Sequence, residues 1–121
     1  MKRLGVRLGV MTIVITFLLQ VPVSAKLTKS GGVNYYEGHK ETWYNLSMDR
    51  VLERADRNFG KHHKRWIRDD GAKMYGPYII AAGAVDRYGE IIGTSLGEAI
   101  ILDTGAFALD NPTQIDVAVN W

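Results

Sequence analysis

The chain has 121 residues, 15 lysines and arginines against 13 aspartates and glutamates, and no cysteine. That length holds one domain at most, and without cysteine the fold must be held by its core alone, with no disulfide. Lys2, Arg3 and Arg7 sit at the N-terminus, so the remainder of the chain carries 12 basic against 13 acidic groups and offers no general cationic balance for nucleic acid.

Those basic residues open a leader. Val10 to Leu19 is apolar apart from two threonines, Gln20 and Pro22 break the run, and Val23-Ser24-Ala25 puts short residues where a signal peptidase reads. The pattern predicts a secretory signal peptide over residues 1–25 and an exported domain over 26–121. The apolar run is shorter than the ~20 residues of a spanning helix, so no stable membrane insertion is expected once the leader is cut.

Residues 26–44, KLTKSGGVNYYEGHKETWY, are polar and carry Gly31-Gly32; they read as an extended or hairpin lead-in. Next, Ser47 or Asn45 is placed to cap a helix, Asp49 lies in its first turn, and Leu46, Val51, Leu52, Ala55 and Phe59 recur at near-helical spacing before Gly60. One short amphipathic helix is expected within 45–60. The segment KHHKRWIRDD at 61–70 is a charge cluster, expected to be a solvated turn with one buried Trp66. Adjacent His62 and His63 diverge on any regular element, so no metal centre is expected there, and no cofactor.

The apolar runs at Tyr78 to Val85, Ala99 to Leu102 and Ile115 to Val119, separated by glycine, Asp-Arg-Tyr-Gly and Asn-Pro turns, predict strands of a compact sheet or barrel. Asp86, Asp103 and Asp116 each stand at an edge of one of these runs. A carboxylate there is held by a rigid strand and still reaches a cleft; the other reading is that each caps a turn. The Asp103-Thr104-Gly105 triplet invites comparison with aspartic peptidases of the retroviral type. In those the triplet comes early and an Ile-Ile-Gly element follows, whereas here Ile91-Ile92-Gly93 precedes it.

Taken in order, Ala84-Val85-Asp86, Ser95-Leu96-Gly97, Leu102-Asp103-Thr104-Gly105-Ala106 and Gln114-Ile115-Asp116-Val117 resemble the three-aspartate domain over about residues 71–120. Arg87, Ser95 and Ala106 depart from that pattern, replacing two prolines and a glycine, and Gly71-Ala72-Lys73 is similar to its G-x-K element. The resemblance implies a mainly β fold, a small six-stranded double-psi β-barrel with one short helix before it. It implies an exported, cell-wall-associated enzyme, lytic transglycosylase-like, whose partner is the glycan strand of peptidoglycan. Asp103, Asp116 and Asp86 would be its catalytic carboxylates, with Asp103 the acid, and Lys73, Thr104 and Gly105 would meet the substrate. A barrel of the same fold that binds cell-wall glycan or a protein without cleaving is the alternative.

A lytic transglycosylase protonates a glycosidic oxygen and lets the sugar's own 6-hydroxyl attack, so one carboxyl group serves as acid and then base. An aspartate is ordinarily ionised well below neutral pH. Partial burial and a neighbouring carboxylate both raise its pKa, which is why the aspartates matter as a set.

Overall fold

The computed structural model describes residues 25–121, so the predicted leader lies outside the described residues except for Ala25. The lead-in is a hairpin. Strands β1 (Val33–Tyr36) and β2 (His39–Tyr44) pair antiparallel, and the intervening Glu37 and Gly38 have φ of 46° and 82°, the doubly positive geometry of a tight hairpin turn.

Helix α1 (Asp49–Phe59) follows and stops at Gly60, whose left-handed φ of 64° lets its N–H close back on the Asp56 carbonyl. Leu52 and Ala55 are its buried residues, and enclosing a leucine side chain is worth roughly 1.5–3 kcal/mol. Two details differ from expectation. Met48, with its side chain buried, occupies the N-cap position, the Ser47 hydroxyl just before it accepts from the Asp49 N–H at 3.4 Å, and Asn45 is engaged by Lys73. Leu46 and Phe59 are exposed, the first lying before the helix and the second stacking on Tyr88 at the surface.

The charge cluster becomes β3 (Arg65–Ile67), which pairs antiparallel with β4 (Lys73–Tyr75). Trp66 is exposed rather than buried. All of β3 faces outward at the sheet edge, and the indole lies across the next turn, donating to the Gly76 carbonyl at 2.9 Å. Then come β5 (Tyr78–Gly83), a single 3-10 turn at Val85–Arg87, β6 (Ile91–Thr94), β7 (Gly97–Thr104), the short α2 (Phe107–Asp110) and β8 (Ile115–Ala118).

The fold is mainly β. The strands form one curled half-barrel sheet with six in the order β1-β2-β8-β5-β4-β3, while β7 also pairs with β5 and carries β6 on its other edge. The β2–β8 and β5–β7 pairs are parallel and the others antiparallel. The lead-in is thus part of the sheet, which extends well upstream of the residues that carry the three-aspartate resemblance. Polar β2 lies inside the sheet because both of its edges are paired, with β1 on one side and β8 on the other.

Strand β5 is apolar on both faces because both are covered. On one side Ile79 and Ala81 pack with Ile101, Ile115, Val117 and Leu27; on the other Ile80 packs with Ile100, Leu102, Ala118 and the underside of α1. Among the described residues no helix is long and apolar enough to cross a membrane.

Candidate functional site

One row of residues runs across four strands. Thr42 of β2 stands opposite Asp116 of β8, Asp116 opposite Ala82 of β5, and Ala82 opposite Asp103 of β7. Residues in register share a face of the sheet, so the two carboxylates flank a small, buried alanine.

Asp103 reaches that face through a bulge. The register slips between Ala81, which faces Ile101, and Ala82, which faces Asp103. Strict alternation would have sent Asp103 to the face of Ile101, in the core; the extra residue re-aims it beside Ala82, a common use of bulges near functional sites.

The carboxylates are held by different partners. Tyr44 Oη donates to Asp103 Oδ2 at 2.9 Å, and the Thr104 N–H donates to Asp103 Oδ1 at 2.9 Å. Thr42 Oγ1 donates to Asp116 Oδ1 at 3.0 Å, and Gln114 Nε2 donates to Thr42 Oγ1 at 3.1 Å. Burial pushes the Asp116 carboxyl above its ordinary value, the Thr42 hydroxyl opposes that, and the charge of Asp103 adds to it. Burial and then the same two carboxylates push the Tyr44 hydroxyl up, so it remains a proton donor. The site therefore holds a partly buried carboxyl group with a raised pKa in register with a second carboxylate. Such a pair can exchange a proton with a bound ligand.

The other predicted site residues are spread around this row. Asp86 lies in the 3-10 turn beyond the end of β5 and is exposed. It lines, with Ala84, Val85, Gly105, Leu109 and Pro112, a hollow of about 420 Å³ at the end of the sheet to which β5 and β7 lead. Gly105 is thus a wall of that hollow, while the Thr104 side chain is exposed and lines another, with Arg54 and Tyr88. Lys73 is not brought to the carboxylates: its ammonium donates to Asn45 Oδ1 at 2.9 Å and to the Leu46 carbonyl at 2.6 Å, tying β4 to the link between β2 and α1. Asp103 and Asp116 are therefore assembled together, with Asp86 farther out and Lys73 elsewhere.

Thr42, Tyr44, Ala82 and Gln114 belong to the site without having been singled out in the sequence. The period-two spacing of Lys40, Thr42 and Tyr44 was the available signal for the first two. Comparison with family models, with curated proteins and with solved structures finds no match for this chain.

Proposed function

We propose that the chain is an exported enzyme of the three-aspartate class, a double-psi β-barrel that cleaves MurNAc–GlcNAc bonds of peptidoglycan as a lytic transglycosylase does. The observation that supports it is the pair of carboxylates flanking Ala82 in one row, with Asp116 the one whose pKa is raised. In this reading Asp116 takes the acid's role that the sequence resemblance gives to Asp103. Asp116 gives its proton to the glycosidic oxygen as the bond to the anomeric carbon breaks. The carboxylate left behind then takes the proton of the 6-hydroxyl as that oxygen closes on the anomeric carbon, giving a 1,6-anhydro sugar and restoring the acid. Asp103, fixed by Tyr44 and Thr104, supplies negative charge opposite the cationic sugar centre. The hollow beyond the row, walled by exposed Val85 and Leu109, offers apolar surface to the adjoining part of the substrate.

The test is zymography of the mature protein in a gel with embedded cell wall, with mass spectrometry of released fragments. Wild type should clear the gel and release 1,6-anhydro ends, and Asp116→Asn should not. Reducing ends instead of anhydro ends would make the reaction hydrolysis. A specific feature favours the second reading, a cell-wall-binding module without catalysis: both carboxylates already have side-chain partners, Thr42 and Tyr44. An inactive wild type that sediments with cell wall would establish that reading.

A further inference from the structure

On the opposite face of β2 from Thr42 lies a second carboxylate site. Glu41 is 0% exposed, and among the described residues no lysine or arginine pairs with it. Its oxygens accept from Asn34 Nδ2 at 3.1 Å, from the Ser95 N–H at 2.7 Å and from Ser95 Oγ at 2.6 Å. His39 Nε2 lies 3.8 Å from Glu41 Oε1, within ion-pair range but beyond hydrogen-bond range, and is buried without a hydrogen-bond partner among the described residues. A buried carboxylate normally has a compensating cation, since leaving it uncompensated is costly.

The groups that hold Glu41 also hold the start of the described chain. Asn34 Nδ2 donates to the Ala25 carbonyl at 2.9 Å, and the Leu27 N–H donates to Ser95 Oγ at 2.9 Å. Leu27 is 2% exposed and sits in the core beside Ile115 and Val117. The backbone nitrogen of Lys26 is bracketed between these two anchors, each one hydrogen bond from the Glu41 carboxylate.

We propose that Glu41 is a built receptor for a primary ammonium, and that its ligand is the α-ammonium of Lys26 produced by cleavage after Ala25. The proposal rests on the signal-peptide reading of the leader. Hydrolysis of the Ala25–Lys26 bond places a carboxylate on the departing segment and turns a neutral amide nitrogen into an amine, which is protonated at neutral pH. It also removes the Ala25 carbonyl, leaving Asn34 Nδ2 to Glu41. Leu27 stays in the core and keeps the new terminus within reach. Processing thereby supplies the missing cation and completes the junction of β1, β2 and the turn between β6 and β7.

The other groups facing the site are compatible with this. His39 on β2 is the competing base, Tyr36 and Glu37 lie at the hairpin end, Asn34 and Ser95 are neutral, and Ile115 opposite Glu41 on β8 is apolar. Pairing with a carboxylate raises the amine pKa in the folded state. The stabilisation is then fully present below the free amine's value of ~8 and is lost as pH rises through the folded value.

Both core clusters lie within residues 27–121, so the test compares a chain beginning at Lys26 with one that keeps Ser24 and Ala25. At neutral pH the first should unfold at a temperature higher by roughly 5–10 °C, as for a charge-assisted hydrogen bond in a domain of this size. That gap should close toward about pH 10 and disappear in the Glu41→Gln background. If Glu41→Gln does not fold, Nα-acetylation of the Lys26 chain serves instead and should remove the gap. Equal midpoints for the two chains, or a gap that survives Glu41→Gln or acetylation, would overturn the docking. Intact mass of the exported protein tests the processing separately, and a first residue other than Lys26 would overturn that half alone.

Discussion

Replacing Asp116 by asparagine should make the protein inactive and more stable at once. The amide oxygen of the substituted side chain still accepts from Thr42, so the Thr42–Gln114 network persists, while the negative charge that Asp116 carries once the pH exceeds its raised folded value disappears. Asp116 and Asp103 stand on strands that flank β5, and two strand spacings of about 4.8 Å put their backbones some 9–10 Å apart. At effective dielectrics of about 20–80, as suits a half-buried pair, removing one charge relieves about 0.5–2 kcal/mol. A domain of this size converts that into an unfolding temperature higher by roughly 3–10 °C. The sign follows from the raised pKa of Asp116: ionisation costs stability above the folded value, and the cost vanishes once both states are protonated, below the ordinary value of 3.8. The gap between variant and wild type should therefore open as pH rises from acid to neutral. Scanning calorimetry across that range gives the stability, and zymography gives the activity, expected to fall by about 10²–10⁴. A variant less stable than wild type at neutral pH would show that the carboxylate is not under repulsion, and full cleavage would show that Asp116 is not the acid.

Tyr44→Phe removes the hydroxyl bonded to Asp103 and should cost about 0.5–1.5 kcal/mol in chemical denaturation, since water reaches the half-exposed carboxylate; an unchanged midpoint would mean the bond contributes nothing. Ala82→Val adds methyls to a residue 3% exposed between the two aspartates, and overpacking should cost about 1–3 kcal/mol while weakening sedimentation with cell wall; wild-type behaviour in both assays would show that the row does not depend on a small residue at its centre. Asp56 is held down to about 2, first by the Tyr75 hydroxyl that donates to it and then by His62 and Arg65. Its contribution to stability is present above the ordinary value of 3.8 and lost as pH falls toward about 2, so Asp56→Asn should flatten the thermal midpoint against pH in that window, and parallel wild-type and variant profiles would exclude it.

The parts of the fold legible in the sequence are those whose stability comes from apolar burial alone. Strands β5, β7 and β8 coincide with runs of aliphatic residues because each is packed on both faces, and α1 ends where Gly60 supplies the left-handed turn. Strand β2 was legible as part of an extended or hairpin lead-in but not as an inner strand of the main sheet, since the face it turns inward carries His39 and Glu41. What makes that face habitable is remote: Ser95 is 54 residues from Glu41 in the chain, and no local window joins them. Strands β3 and β6 are short, and β3 is exposed throughout, so hydrophobicity gave no periodic signal for either.

The candidate site divides along the same physical line. Asp103 and Asp116 could be named because each borders an aliphatic run, but their roles depend on facts that appear only after the strands pair. The parallel pairing of β2 with β8 sets Thr42 against Asp116, and it sends Tyr44 to Asp103, 59 residues away. The bulge decides the rest. In the string Ile101-Leu102-Asp103 alternation assigns Asp103 to the face of Ile101, which would bury it in the core. Only the slip opposite Ala81 and Ala82 sets it on the face of Asp116. Sequence thus marks carboxylates that a sheet can hold rigidly, whereas pairing and bulge geometry determine which two stand in one row across it. Within that row burial raises Asp116 first, and the charge of Asp103 adds to it, which is the feature on which its proposed role as the acid rests.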